Sequence, residues 1–149
     1  MVLRGLPTEL DLFLWLKKHY YPDLRSNAGE YSSYDAWSAE FRFYAELKAR
    51  STHYETLIIE KAKYDRIVKI GNANRFDALY ICSTPQGVWQ FDVALLSILW
   101  EEMPGLPVTS HFENNERITK TVGLLPLKAG IRLGEATNRR KGGGIYGNR

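Results

Sequence analysis

The run Tyr34-Asp35-Ala36-Trp37-Ser38-Ala39-Glu40-Phe41-Arg42-Phe43-Tyr44-Ala45-Glu46-Leu47-Lys48 decides how this chain folds. Its second half alternates, with Phe41, Phe43, Ala45 and Leu47 on one face and Arg42, Tyr44, Glu46 and Lys48 on the other. A period of two predicts a half-buried strand whose polar face ends in a carboxylate and an ammonium. Upstream, Tyr31 to Trp37 is a second β-prone run, and Ser38-Ala39-Glu40 is a break short enough to close a hairpin. Folding back brings Asp35 close to a position opposite Glu46. Two carboxylates and a lysine at one point are what metal-assisted phosphodiester chemistry requires.

Outward from this run, local signals place the other elements. Thr8 is a candidate N-cap, with Asp11 three residues on in the capping-box position. Leu10, Phe13, Leu14 and Leu16 then recur at helical spacing until Lys17, Lys18 and His19. Tyr21-Pro22-Asp23 stops that helix, and Arg25 to Gly29 reads as a loop. After Lys48, Thr52 and Glu55 repeat the capping pattern and predict a second helix from about Tyr54 to Ile70, ended by Gly71. Phe76 to Ser83 and Val88 to Val93 read as strands around a Pro85-Gln86-Gly87 turn. Ala94 to Glu102 is apolar, and its periodicity leaves helix and strand open. Val108 to Phe112 and Arg117 to Leu127 read as a hairpin around Glu113-Asn114-Asn115-Glu116.

Composition bounds the class. With 149 residues, 44% hydrophobic and 25% charged, the chain reads as one globular domain over 1–133. Residues 134–149, carrying Arg139-Arg140-Lys141 and a Gly-rich stretch, read as a flexible basic tail. A net charge of +3 permits nucleic acid as a partner without arguing for it. The single cysteine, Cys82, excludes an intramolecular disulfide and fits a reducing compartment. No secretory pattern or membrane-length apolar run is visible, so a cytoplasmic protein with no membrane partner is expected. His19, His53 and His111 are too isolated for a zinc site, and neither a phosphate-binding Gly-rich loop nor a Gly-x-Ser-x-Gly elbow is present.

A Glu-x-Lys tripeptide alone carries little signal; its place on a strand after an acid-bearing hairpin raises it. From Thr8 to Ser83 the chain resembles the PD-(D/E)XK nuclease superfamily, the restriction-endonuclease-like fold. Asp35 stands for the motif's aspartate and Glu46-Leu47-Lys48 for its Glu-x-Lys. The resemblance implies an α/β (α+β) restriction-endonuclease-like core, a mixed β-sheet flanked by helices. It departs in the residue before Asp35, which is Tyr34 and not proline. A literal Pro22-Asp23 lies at a helix end, far from Glu46, and is set aside.

The resemblance also implies the chemistry. Asp35, Glu46 and the backbone carbonyl of Leu47 would hold Mg²⁺ or Mn²⁺, joined by the helix-one acid that some branches add, Glu9 or secondarily Asp11. Lys48 would orient the attacking water or stabilise the extra negative charge of the transition state. Glu60 and Tyr64 look similar to the Gln-x-x-x-Tyr of exonuclease-like branches, with Glu substituted; a solvated helix face with Tyr64 on the sheet is the plainer reading. Arg50, Lys61, Lys63, Arg66 and Lys69, with Arg139, Arg140 and Lys141, are candidate nucleic-acid contacts, though such spacings also suit a solvated face. The implied function is a Mg²⁺-dependent DNA endo- or exonuclease, compact enough for a phage or mobile element and then placed in the host cytoplasm. Such nucleases often act as homodimers when they cut both strands. The alternatives are a nucleic-acid-binding or assembly protein that keeps the fold without catalysis, and a small interaction module with incidental Glu46 and Lys48.

Overall fold

The computed structural model describes residues 6–26, 35–107 and 116–134. Helix α1 (Glu9–His19) starts where the sequence signals it, because the Thr8 hydroxyl oxygen accepts the Asp11 amide at 3.0 Å and donates to the Asp11 carboxylate at 2.9 Å. Its Leu12 and Leu16 are fully buried. Lys17 reaches beyond the helix end and donates to the Pro22 and Leu24 carbonyls, tying down the exit. The Arg25–Ser26 segment, expected as loop, forms a short strand, β1, because it finds backbone partners on the next one.

The central hairpin forms as β2 (Asp35–Ser38) and β3 (Phe43–Ala49). The Pro22-Asp23 acid serves its turn: Asp23 accepts the Ser38 hydroxyl at 2.6 Å and the Glu40 amide at 2.9 Å. Against the cost of partial burial, these bonds hold the Asp23 carboxyl below its usual range. Arg42 adopts a left-handed φ of 60° in that turn, stacks over the Phe76 ring and donates to the Arg75 carbonyl.

Residues 56–60 depart from the expected helix. They form strand β4 (Thr56–Glu60), and α2 (Lys61–Asn74) begins only after Glu60. The β-branched Thr56, Ile58 and Ile59 suit a strand, and a partner far along the chain makes them one. Gly71 does not end α2. It lies buried within it, where an added Cβ would sit 2.9 Å from the Phe76 carbonyl, so its role is close packing. The cap is Arg75, left-handed at φ 60°.

Strands β5 (Asp77–Thr84) and β6 (Gly87–Asp92) follow as expected. The ambiguous run resolves into a 3-10 turn at Val93–Leu95 and strand β7 (Leu99–Pro107). Thus β7 is the arm that pairs with β8 (Arg117–Pro126), ahead of the Val108 to Phe112 arm expected, which lies outside the described residues. Pro104 and Gly105 argue locally against a strand, yet β7 is an edge strand with a register shift between Met103 and Leu106, where both residues are tolerated. Strand β9 (Ile131–Leu133) completes the described chain, and the expected tail with Arg139, Arg140 and Lys141 lies outside it.

Two sheets result. The larger runs β1-β2-β3-β5-β6-β9, parallel between β3 and β5 and antiparallel elsewhere; the smaller runs β4-β8-β7. Alternation along β3 and β5 divides the core. Phe43, Ala45, Leu47, Leu79 and Ile81 pack with α1, while Ala78, Tyr80 and Cys82 pack with Ile67 of α2 and with Leu57, Ile59 and Leu125 of the smaller sheet. The architecture is the expected mixed sheet flanked by helices. Among the described residues no helix is long and apolar enough to cross a membrane.

Candidate active site

The β2–β3 register sets Asp35 directly opposite Glu46, so both carboxylates project from the same face of the sheet, toward α2. Two acids side by side, with Asp35 7% and Glu46 1% exposed, repel each other strongly unless neutralised. Helix α2 supplies the neutralisation. Arg66 forks onto Asp35, Nη1 to Oδ2 at 2.8 Å and Nη2 to Oδ1 at 2.9 Å, and Nη2 also donates to Glu46 Oε1 at 2.9 Å. Lys63, one helical turn earlier, places its ammonium 3.4 Å from Glu46 Oε2. Burial nonetheless pushes the Glu46 carboxyl up to about 7, with Asp35 adding to the rise and Lys63 and Arg66 opposing it.

Lys48 lies two residues along β3 from Glu46 and so on the same face, opposite Cys82 of β5. Burial, with the Arg50 and Lys63 cations nearby, pulls its ammonium below the usual lysine range; Glu9 and Glu60 pull it partly back. Among the described residues no hydrogen bond or ion pair ties Lys48 down. Glu9 reaches the same end of β3 from the start of α1, its carboxylate accepting the Ala49 amide at 3.0 Å. Leu47, whose carbonyl is a candidate ligand, lies one residue past the last described β2–β3 pair. Asp11 remains in the α1 cap.

The other candidates scatter. Glu60 pairs with Lys120 of β8 at 3.2 Å and acts on Lys48 through its charge. Tyr64 packs edge-on against Trp100, centroids 4.9 Å apart. Lys61 pairs with Asp65 and lies over the Tyr64 and Trp100 rings. Arg50 turns inward and donates to the Ile58 carbonyl and the Tyr80 hydroxyl, with its Nε buried and without a hydrogen-bond partner among the described residues. Cys82 is buried, its thiol pushed up by burial.

The residue whose role the sequence concealed is Arg66. Its position three after Lys63 on one helix face marks it as a cation beside a cation, but only the packing of α2 shows that both point at the acids. Among the described residues no group of three or more His, Cys, Asp or Glu side chains converges to hold a metal. What converges is two carboxylates bridged by a guanidinium. That donor set, four hard carboxylate oxygens of which three face Arg66 and one faces Lys63, fits a divalent cation in chemistry.

No family model matches the chain, and the comparison with curated proteins finds no match. Among solved structures, the chain is similar to Hjc of Archaeoglobus fulgidus, a Holliday junction resolvase from an archaeal hyperthermophile. The TM-score is 0.51 at 17% identity, over 86% of this chain and 90% of that one. The likeness shows a shared, restriction-endonuclease-like fold.

Proposed function

We propose that this chain is a metal-dependent nuclease that hydrolyses phosphodiester bonds in DNA, with Asp35, Glu46 and Lys48 at its centre. The observation that carries this is the register of Asp35 opposite Glu46, with Lys48 next along the same face. The fold shared with a Holliday junction resolvase supports it.

Asp35, Glu46 and the Leu47 carbonyl are the residues that would hold Mg²⁺ or Mn²⁺, with Glu9 at the adjoining end of β3. Such an ion supplies a more acidic bound water and neutralises charge on the phosphate. Lys48, less willing than most lysines to hold its proton and without a hydrogen-bond or ion-pair partner among the described residues, would orient the attacking water and meet charge growing on the phosphoryl oxygens. Lys63 and Arg66 provide cations at the same face to draw a phosphate in. A homodimer would present two such sites to two strands.

The test is cleavage of linear, circular and four-way-junction DNA in Mg²⁺ or Mn²⁺. The wild type is expected to cut, and Glu46→Gln and Lys48→Ala to lose roughly 10²–10³-fold in rate while staying folded. A second reading, a DNA-binding protein that keeps this fold without turnover, is favoured by the engagement of both acids by Arg66. DNA binding with no cleavage under any of these conditions would establish it.

A further inference from the structure

In the folded chain every oxygen of the two facing carboxylates is engaged by a cation. Asp35 Oδ1 and Oδ2 and Glu46 Oε1 accept from Arg66, and Glu46 Oε2 faces Lys63. With both acids ionised the cluster is formally balanced, two negative charges against two positive. A divalent ion entering on top of this arrangement would leave the pocket strongly positive and would find no carboxylate oxygen unoccupied. One resident cation has to leave.

The geometry selects which. The Arg66 side chain is 36% exposed and that of Lys63 17%, so Arg66 has the open path to solvent. Among the described residues the polar partners of Arg66 are Asp35 and Glu46 alone. Lys63 has a further interaction besides Glu46. Once Arg66 lets go, its planar fork is suited to a phosphate, which matches the carboxylate pair it has left.

We propose that Arg66 is an exchangeable internal cation: it holds Asp35 and Glu46 together without metal, is displaced from them by a divalent ion, and then binds a DNA phosphate as a positioning residue. This rests on the reading of Asp35 and Glu46 as a metal centre. Metal binding and DNA binding are then coupled through one side chain, and the coupling is reciprocal.

The experiment titrates Mn²⁺ by electron paramagnetic resonance into the wild type, Arg66→Ala, Arg66→Lys and Asp35→Asn, without DNA. Arg66→Ala is expected to bind Mn²⁺ at least about fivefold more tightly than the wild type, because nothing has to be displaced. Arg66→Lys keeps a charge but not the fork, should fold as the wild type does, and should fall between. Asp35→Asn should lose binding. In a second arm, DNA affinity is measured with and without Ca²⁺: the ion should tighten binding to the wild type and do so several-fold less for Arg66→Ala. Equal or weaker Mn²⁺ binding by Arg66→Ala and Arg66→Lys, beside a wild type that binds, overturns the exchange and leaves the metal centre standing. Tighter Mn²⁺ binding with an undiminished Ca²⁺ effect on DNA overturns the phosphate role. No Mn²⁺ binding by any form overturns the metal centre and the exchange with it.

Discussion

Strand β3 presents two opposite solutions to burial. On its α1 face, Phe43, Ala45 and Leu47 meet Leu12, Leu16 and Leu79 in a cluster with no charge. On its α2 face, Tyr44, Glu46 and Lys48 lead into a network of buried or half-buried ions answered by Lys63, Arg66 and Glu9. The same backbone carries both, so the difference lies in the side chains alone. Apolar burial contributes roughly 25 cal/mol per Å² and asks for shape only. Burying Glu46 and Lys48 costs desolvation that their partners return only in part, as the raised Glu46 and lowered Lys48 proton affinities show. The proposed function takes the apolar face for stability and the ionic face for chemistry.

The largest expected effect falls on the apolar face. Phe43 is 1% exposed and packs edge-on against Tyr21 at 4.8 Å, so Phe43→Ala should cost about 3–5 kcal/mol in urea unfolding. A loss below about 1 kcal/mol would deny that this face holds the fold together. Next comes Lys48→Ala, expected to lower cleavage by roughly 10²–10³-fold with little loss of stability. If it destabilised the chain as Phe43→Ala does while sparing cleavage, the ionic face would be structural and the comparison would collapse.

Acidity provides the third test. In the folded chain Glu46 titrates near 7, against an ordinary value of 4.5. Between those values the folded state holds a proton that the unfolded state has released, so the contribution is full below 4.5 and is lost as pH rises through about 7. In EDTA, unfolding free energy should therefore fall, by at most roughly 3 kcal/mol, between about pH 4.5 and pH 8. Glu46→Gln should flatten that slope; an unchanged slope would place its origin elsewhere. The smallest effect belongs to the exposed Lys61–Asp65 pair, where Asp65→Ala should change stability by about 0.3–0.5 kcal/mol in urea unfolding.

Features that depend on near neighbours were legible. The Thr8 cap needs only Asp11, and the Asp35–Glu46 pairing follows from two short runs with a brief break between them. Thr52 and Glu55 mimicked a helix start because a capping pattern can be read without knowing what lies opposite. The Thr56–Glu60 segment is a strand because β8 offers it a partner, Ile59 against Gly123, across the length of α2, β5, β6 and β7. Likewise β7 keeps Pro104 and Gly105 only because it sits at a sheet edge.

By itself, the sequence determined the first helix, the central hairpin, the two faces of β3 and the three chemical groups gathered there, since periodicity and capping act over a few residues. Tertiary structure alone decided that α2 lies over those groups with Lys63 and Arg66 aimed at them, and that Arg50 turns inward to Tyr80. The reason is physical. A cation on a helix surface looks the same in sequence whether it meets water or a buried carboxylate, and only the packing of distant elements determines which.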